Sequence, residues 1–388
     1  MRFSTLLFVG FFLVCFSGLN YYIGIRGWQA FQKWFPVGFT RIYVPVFILL
    51  AFSYLLGRII ERLIPGGFSD AITLFGSYWI GAAAYFLIIT LCIDFARLFD
   101  HWFSFLPASV TDNPGYVGLA VIMLVIGLMI YGTWNARHPR VYHYDIAIDK
   151  PAGKLQQLHM VMASDMHLGN IVDEKRLARF IDQANALQPD IVVLPGDTID
   201  EDVKPYLYRG MPAIFQRLHP KYGVFAIPGN HEYIGGEGEL ALRTLRDTGM
   251  TVLRDTYQEI DGSFYLVGRD DRTGARFTGH QRKPLVKILQ GVDKTLPVIL
   301  LDHQPVQLEE AAEQGVDLQL SGHTHHGQFF PNNLITQSVF EKDWGYLRRG
   351  AYQLIVSCGY GTWGPPIRIG NTPEMLDIII RFKPSPHR

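Results

Sequence analysis

The sequence has little cysteine and no excess of charge of either sign. Its 388 residues contain three cysteines, and its 35 basic residues match its 35 acidic ones. A net charge of zero excludes a chain-wide positive field, so no nucleic-acid partner is expected. Cys358 is the one cysteine beyond the apolar first third of the chain. A disulfide within the later part is therefore excluded, which fits a reducing compartment.

Charge is scarcest in the first third, where four long apolar stretches occur. A helix needs roughly 20 apolar residues to cross the hydrocarbon core of a bilayer. The stretches predict a membrane region at residues 1–140, with helices at about 3–24, 42–60, 71–93 and 115–134. Two alternatives are a cleaved signal peptide at the first stretch and core helices of a soluble domain. The first lacks an obvious small-residue cleavage site, and the second is unusual for charge-free runs of this length.

The basic residues around these stretches bear on orientation. Four crossings place both chain ends on one side of the membrane. That side would carry Arg2, Arg58, Arg62, Arg137 and Arg140, and the other Arg26, Lys33, Arg41 and Arg97. The positive-inside bias favours a cytoplasmic C-terminal domain.

The pattern changes from Tyr142 onward, and residues 141–388 form the predicted second domain. Short runs rich in valine, isoleucine and leucine alternate with helical segments, which predicts a sheet covered by helices. Strands are expected at residues 158–163, 190–195, 223–228, 264–268, 297–301, 317–320 and 352–357. Residues 174–187 place apolar side chains on one helical face, and residues 307–314 also predict a helix.

Five of these strands are each followed by a motif of Asp, Asn or His. The motifs are SDMH, GDTID, GNHE, DHQP and SGHTHHGQ. Loops at the carboxyl ends of strands in α/β folds gather in one crevice, so the five motifs are expected to converge. Each motif alone has a plainer explanation, such as a turn for Gly-Asp or a core position for His303. The ordered set is what favours a shared site.

The set resembles the calcineurin-like metallophosphoesterase family. The matching blocks are Asp165-Met166-His167, Gly196-Asp197-Thr198-Ile199-Asp200, Gly229-Asn230-His231-Glu232, His303 and Gly322-His323-Thr324-His325. The resemblance covers about residues 155–382. The segment SCGYGTWGPPIRIGNTPEM resembles a bacterial membrane-associated branch of the family. The resemblance implies a four-layer α/β/β/α sandwich and a multi-pass protein of a bacterial inner or plasma membrane.

The resemblance also implies roles for individual residues. Asp165, His167 and His325 would bind one metal ion, and Asn230, His303 and His323 a second, with Asp197 as the bridge. His231 would donate a proton to the leaving oxygen, and Asp200 would orient it. The alternative for Asp200 is a cap on the next helix. His326 stands where that branch usually has glycine. No role is assigned to it, and its side chain is expected to face either the substrate or solvent.

Carboxylate, amide oxygen and imidazole together suit manganese, iron or zinc. The sequence is thus interpreted as a membrane-anchored, two-metal phosphoesterase that cleaves a phosphate ester or diester. The expected partners are the bilayer and a lipid-linked or nucleotide-like phosphate, since related membrane-associated members act on phospholipids or UDP-diacylglucosamine. The alternative is a catalytically silent metal-binding sensor or scaffold on the membrane. A transporter with a soluble appendage lacks a polar pathway through the apolar stretches.

Overall fold

The computed structural model describes residues 3–64 and 66–384, which form two compact units. One unit comprises the described residues up to Thr133 together with Gly364–Ile367. The other comprises residues 134–363 and 368–384.

The first unit is helical. Its helices are α1 (Phe3–Phe31), α2 (Thr40–Ala51), α3 (Ser53–Leu63), α4 (Gly67–Phe103), α5 (Ala108–Thr111) and α6 (Pro114–Ala136), the last of which runs three residues beyond the unit. Helices α4 and α6 are long and apolar enough to cross a membrane. They contain the predicted helices at 71–93 and 115–134. Helix α4 is longer than predicted because it continues through Asp94 to Phe103.

The predicted single helix at 42–60 is wrong. The chain breaks at Phe52 into α2 and α3, which are bent by 54° and qualify as one span only when taken together. The stretch contains the charged Arg58, which forms an ion pair of 3.0 Å with Glu61 just beyond it on α3. The described residues thus contain two candidate spans, or up to three with the bent pair. The helix predicted at 3–24 runs as Phe3–Phe31. Arg2 of the orientation argument lies outside the described residues, as does the side chain of Arg62.

An ion pair joins α1 and α4 within this unit. Asp94 accepts a hydrogen bond of 2.5 Å from the Tyr22 hydroxyl and lies 2.7 Å from the Arg26 guanidinium. An acid inside a long apolar helix is costly unless it is paired, and these two contacts supply the pairing.

The second unit is built on two six-stranded sheets. Its strands are β1 (Arg140–Pro151), β2 (Gln157–Met162), β3 (Ile191–Pro195), β4 (Val224–Ile227), β5 (Thr251–Val252), β6 (Thr256–Ile260), β7 (Phe264–Gly268), β8 (Val298–Leu301), β9 (Leu318–Ser321), β10 (Gly345–Arg349), β11 (Tyr352–Val356) and β12 (Glu374–Lys383). The first sheet has the order β1-β12-β2-β3-β4-β5 and the second β10-β11-β9-β8-β7-β6. Strands β2, β3 and β4 are parallel neighbours, and so are β8 and β9.

Helices connect these strands. They are α7 (Glu174–Leu187), α8 (Val203–Tyr208), α9 (Met211–Phe215), α10 (His231–Ile234), α11 (Gly238–Asp247), α12 (Gly274–Thr278), α13 (Leu285–Ile288), α14 (Leu308–Glu313) and α15 (Asn332–Val339). All seven predicted strands are confirmed, and so are α7 and α14. Helix α7 starts where Asp173 accepts a hydrogen bond of 3.0 Å from the Arg176 amide, which is an N-cap.

Three buried clusters hold the second unit together. Side chains from both sheets form one of them, in which Met160 of β2 and Ile299 of β8 are fully buried. A second cluster joins α7 to the first sheet, and a third joins α13 and α14 to the second sheet. The apolar runs of the strands are explained by this burial, because both faces of the central strands are covered.

Candidate metal centre

Loops from both sheets supply the side chains that the sequence predicts to bind metal. These loops follow β2 (Asp165, His167), β3 (Asp197), β4 (Asn230), β8 (His303) and β9 (His323, His325). The structure brings all seven residues together, and the parallel order of the strands explains why their carboxyl ends meet.

The backbone at the site is tightly folded. Five of the seven residues have a positive φ, namely Asp165 (51°), His167 (48°), Asp197 (52°), His323 (71°) and His325 (49°). Non-glycine residues adopt this region at an energetic cost, and such residues cluster at functional sites. Glycine is required next to them, since a Cβ on Gly229 would collide with the Asp197 carboxylate and one on Gly322 with that of Asp165.

One group of ligand atoms comes from Asp165, His167 and His325, which are all buried. The Nε2 atoms of His167 and His325 lie 3.0 Å apart, and His325 Nε2 lies 3.4 Å from Asp165 Oδ1. Burial lowers the pKa of His325 well below its usual value, and the nearby Arg368 charge lowers it further. The neutral imidazole that results is the form that binds a metal.

A second group comes from Asp197, His303 and His323. Asn230 joins them, because its Oδ1 lies 2.9 Å from His323 Nδ1 and 3.2 Å from His303 Nε2. His303 Nε2 lies 3.1 Å from Asp197 Oδ2.

Asp197 lies between the two groups. Its Oδ2 is 3.1 Å from His303 Nε2 in one group and 3.9 Å from His167 Nε2 in the other. Its Oδ1 accepts a hydrogen bond of 2.8 Å from the backbone N–H of His231. One carboxylate oxygen is therefore available to both groups, while the other fixes the side chain.

The donor set fits divalent cations. Imidazole nitrogens that face each other at 3.0 Å and an amide oxygen between two rings are each explained if a cation accepts their lone pairs. The buried carboxylates of Asp165 and Asp197 also require positive charge nearby.

His231 and Asp200 form a pair beside these groups. His231 Nδ1 lies 3.0 Å from Asp200 Oδ1. Burial opposes a charge on His231, but the carboxylates of Asp197 and Asp200 outweigh burial and raise its pKa to about 9. Burial likewise opposes the charge of Asp200, but the adjacent His167 and His231 rings lower the pKa of Asp200 below its ordinary value.

The alternative role for Asp200, a helix cap, is wrong. Helix α8 is capped by Asp202, whose side chain accepts a hydrogen bond of 2.9 Å from the Lys204 amide.

Asp200 also approaches a proposed metal ligand. Its oxygen that contacts His231 lies 3.5 Å from His167 Nδ1. His167, Asp200 and His231 are close enough to form a third ligand group. The metal content of a His231 variant therefore shows whether His231 is a general acid, in which case the metal is retained, or a metal ligand, in which case it is lost.

Sequence reasoning gave no role to Glu232, the last residue of the GNHE block. Its buried carboxylate accepts hydrogen bonds from the backbone N–H groups of Asp197 (3.1 Å), Ile199 (3.0 Å) and Gly229 (2.8 Å). Glu232 thereby joins the loops after β3 and β4. Burial and the adjacent Asp197 charge raise its pKa to about 7. The acceptor role was not visible in the sequence because the three donors are main-chain groups.

Two further contacts extend the site. Gln328 binds the backbone of Trp363 twice, through its Nε2 to the carbonyl at 2.9 Å and through its Oε1 to the amide at 3.1 Å. Gln328 belongs to the SGHTHHGQ motif, but the motif does not show that its side chain binds the backbone of Trp363. The half-exposed Trp363 ring is 5.7 Å from the His231 ring.

The side chain of His326 does not face solvent, since it is 9% exposed and its Nδ1 lies 2.7 Å from Asp343 Oδ2.

Comparisons with known proteins identify the family of the chain. Residues 158–327 match the calcineurin-like phosphoesterase family. An uncharacterized metallophosphoesterase of Aquifex aeolicus is 38% identical over 248 residues, which cover 63% of this chain and 92% of that protein. A Danio rerio protein named as a transmembrane protein with metallophosphoesterase domain is 29% identical, over 76% of this chain and 70% of its own. A solved structure of a 5'-nucleotidase precursor from Thermus thermophilus has 15% identity and a TM-score of 0.37, and the match covers 57% of this chain and 55% of that one. The family match and the bacterial relative together establish that the chain belongs to the calcineurin-like metallophosphoesterase family.

Proposed function

We propose that the protein is a membrane-anchored, two-metal phosphoesterase that hydrolyses a phosphate ester or diester. The observation that carries the proposal is the position of Asp197 Oδ2, 3.1 Å from His303 Nε2 and 3.9 Å from His167 Nε2. A carboxylate oxygen placed between two sets of imidazoles is the arrangement expected of a bridge between two ions.

The proposed ligands divide into Asp165, His167 and His325 for one ion and Asn230, His303 and His323 for the other, with Asp197 shared. Two bound dications, manganese, iron or zinc, supply a Lewis-acidic site that polarises a phosphoryl oxygen and activates water. The two carboxylates among these ligands neutralise only part of that charge, so the centre attracts an anionic phosphate group.

His231 acts as the general acid in this proposal. The Asp200 carboxylate favours the protonated ring, and its contact with Nδ1 leaves Nε2 as the atom that can release a proton. The proton would pass to the leaving oxygen as the phosphorus–oxygen bond breaks, which is the work of a general acid. Asp200 positions the ring, and its negative charge stabilises the protonated state.

The substrate class is proposed from the membrane helices. Helices α4 and α6 can cross a membrane, and a relative is named as a transmembrane protein. Anchoring raises the local concentration of a substrate in the same bilayer. A lipid-linked phosphate or diphosphate is thus favoured, with a soluble nucleotide-like diester as the other class. We also propose four membrane crossings, a cytoplasmic catalytic domain and a four-layer α/β/β/α arrangement of the second unit.

The silent sensor or scaffold is the second candidate. A protein that binds metal without turnover has no need of an acid, yet the His231–Asp200 pair is intact at 3.0 Å. This contact favours an enzyme.

Turnover by the full-length protein in detergent tests the proposal. Metal-stripped protein is reloaded with manganese, and its metal content is measured alongside hydrolysis of nitrophenyl phosphate, bis(nitrophenyl) phosphate and lipid-linked diphosphates in mixed micelles. We expect two ions per chain and turnover of at least one ester. In Asp197→Asn we expect no turnover and lower occupancy of both metal sites. Two bound ions without hydrolysis of any ester would favour the sensor.

A further inference from the structure

Helix α15 exposes its large apolar side chains. Leu334, Ile335 and Val339 are 57%, 60% and 68% exposed. Thr336, on the opposite side, donates a hydrogen bond of 2.8 Å to Asp343 Oδ2. A surface helix of a globular protein normally shows the reverse distribution.

The segment around this helix has no charged residue. It reads FFPNNLITQSVF from Phe329 to Phe340. Phe330 is 50% exposed and lies four residues before Leu334. We define the outer face of α15 as Phe330, Leu334, Ile335 and Val339. Four large apolar side chains exposed within ten residues are more than scattered surface residues, and such patches indicate an interaction site.

The helix is attached to the metal centre. A Cβ on Gly327, just after the histidine-rich turn, would collide with the backbone of Asn333, so helix and turn are in close contact. At the other end of the helix, the Phe340 ring lies 6.0 Å from the His323 ring. Asp343 accepts hydrogen bonds from both sides, from Thr336 through its carboxylate and from Thr324 through its carbonyl.

We propose that the outer face of α15 inserts into the interfacial layer of a lipid bilayer. Amphipathic segments of this kind bury an apolar face about 5–10 Å into the boundary between headgroups and acyl chains. A bilayer is the fitting partner because the same chain has helices able to cross one and because the segment lacks charge. Gln337 and Ser338 are also exposed on the helix, and uncharged polar side chains suit the headgroup layer.

The charges that follow the segment agree with this partner. Glu341 pairs with Arg349, and Asp343 is buried against His326 and Thr336, so Lys342 and Arg348 are the cations near the end of the segment. Cations at this position suit an anionic lipid surface. The inserted helix would place the turn that carries His323 close to the lipid headgroups.

Fluorescence quenching by lipid tests the inference without relying on turnover, so its outcome is separate from that of the proposed function. Ile335→Cys or Val339→Cys is labelled with an environment-sensitive dye in a Cys15→Ser, Cys92→Ser background, in which the remaining Cys358 is buried. The full-length protein is reconstituted into phosphatidylcholine–phosphatidylglycerol vesicles with or without nitroxide-bearing acyl chains. We expect a blue shift of the emission and loss of most of it to the nitroxide at both positions.

Three matched controls make the result decisive. Gln258→Cys, exposed on β6 of the same unit, should show neither effect. Native Cys92 of α4, labelled in a Cys15→Ser chain, should be quenched and so report that the protein is in the bilayer. Leu334→Ser should reduce quenching of the label at Ile335. Quenched Cys92 with unquenched Ile335 and Val339 would overturn the inference. Disulfide cross-linking of Ile335→Cys between chains without lipid quenching would assign the face to a second copy instead.

Discussion

Asp200 Oδ1 lies 3.0 Å from His231 Nδ1 and 3.5 Å from His167 Nδ1, so one carboxylate orients the proposed acid and touches a proposed metal ligand. The two proposed functions of the site, proton transfer and metal binding, are thus linked through one side chain. Substitutions of Asp197, His231, Asp200 and Glu232 should show which residues serve proton transfer and which serve metal binding.

Asp197→Asn should abolish turnover and lower the occupancy of both metal sites. The substitution removes one negative charge and one oxygen that lies between both ligand groups. Metal content by elemental analysis measures the effect, and Asp247→Asn on the surface of α11 is the matched control. Two ions retained per chain would remove Asp197 from the bridge.

His231→Asn should keep both ions and slow the hydrolysis of esters with poor leaving groups by roughly 10²–10⁴-fold, the usual contribution of a positioned acid. A nitrophenyl ester should lose less, because its leaving oxygen needs little protonation. Comparison of kcat for the two ester types measures the difference. An equal loss for both, or loss of an ion, would place His231 in metal binding or structure.

The rate with a poor leaving group should fall as the pH rises through the pKa of His231, because a general acid must carry its proton. This pKa is raised to about 9 by Asp197 and Asp200 against the effect of burial. Bound cations offset the charge of Asp197, so the fall is expected below that value in the metal-loaded enzyme. Asp200→Asn removes the other carboxylate and should move the fall to lower pH.

The pH dependence of kcat at constant manganese measures this shift. His231→Asn has no ring to titrate and should lack the fall altogether. A profile that is the same in Asp200→Asn and the native enzyme, with metal content unchanged, would exclude Asp200 as the group that sets the pKa of His231.

Glu232→Gln should destabilise the two loops that Glu232 joins, those after β3 and β4, and with them the proposed metal sites. An amide has one acceptor oxygen and cannot accept all three backbone hydrogen bonds, so at least one buried N–H loses its partner at a cost of about 1–3 kcal/mol. We expect a lower thermal midpoint and weaker binding of the ions, measured by melting at several manganese concentrations. Glu313→Gln at the exposed end of α14 is the control. An unchanged midpoint would mean that the loops after β3 and β4 hold their shape without Glu232.

Much of the site could be predicted because each motif lies directly after an apolar strand. Short apolar runs such as residues 190–195 have few conformational alternatives once they are buried. Helix α7 has a clear apolar face, and Asp173 marks its first turn as the N-cap. Strands β1 and β12 were missed because most side chains of β1 are exposed or half-buried, and because the buried run of β12 contains the charged residues Glu374 and Asp377. The break at Phe52 was not predicted because the residues on both sides of it are mostly apolar and contain no glycine or proline at that point.

The roles of Glu232 and Gln328 were hidden for a different reason. Both side chains bind main-chain groups of residues far along the chain or in another loop. A sequence shows which side chains are present but not which amides and carbonyls will face them. Such residues become recognisable only when the loops are seen together.

Each proposed ion draws its ligands from both sheets, with Asp165 and His167 opposite His325 in one group and Asp197 and Asn230 opposite His303 and His323 in the other. Ion binding is consequently also a non-covalent cross-link between the two halves of the domain. Neither sheet can separate from the other without releasing both ions. The cohesion of the catalytic domain should therefore rise with the free metal concentration, and a cell that withholds the metal would weaken the fold as well as the chemistry.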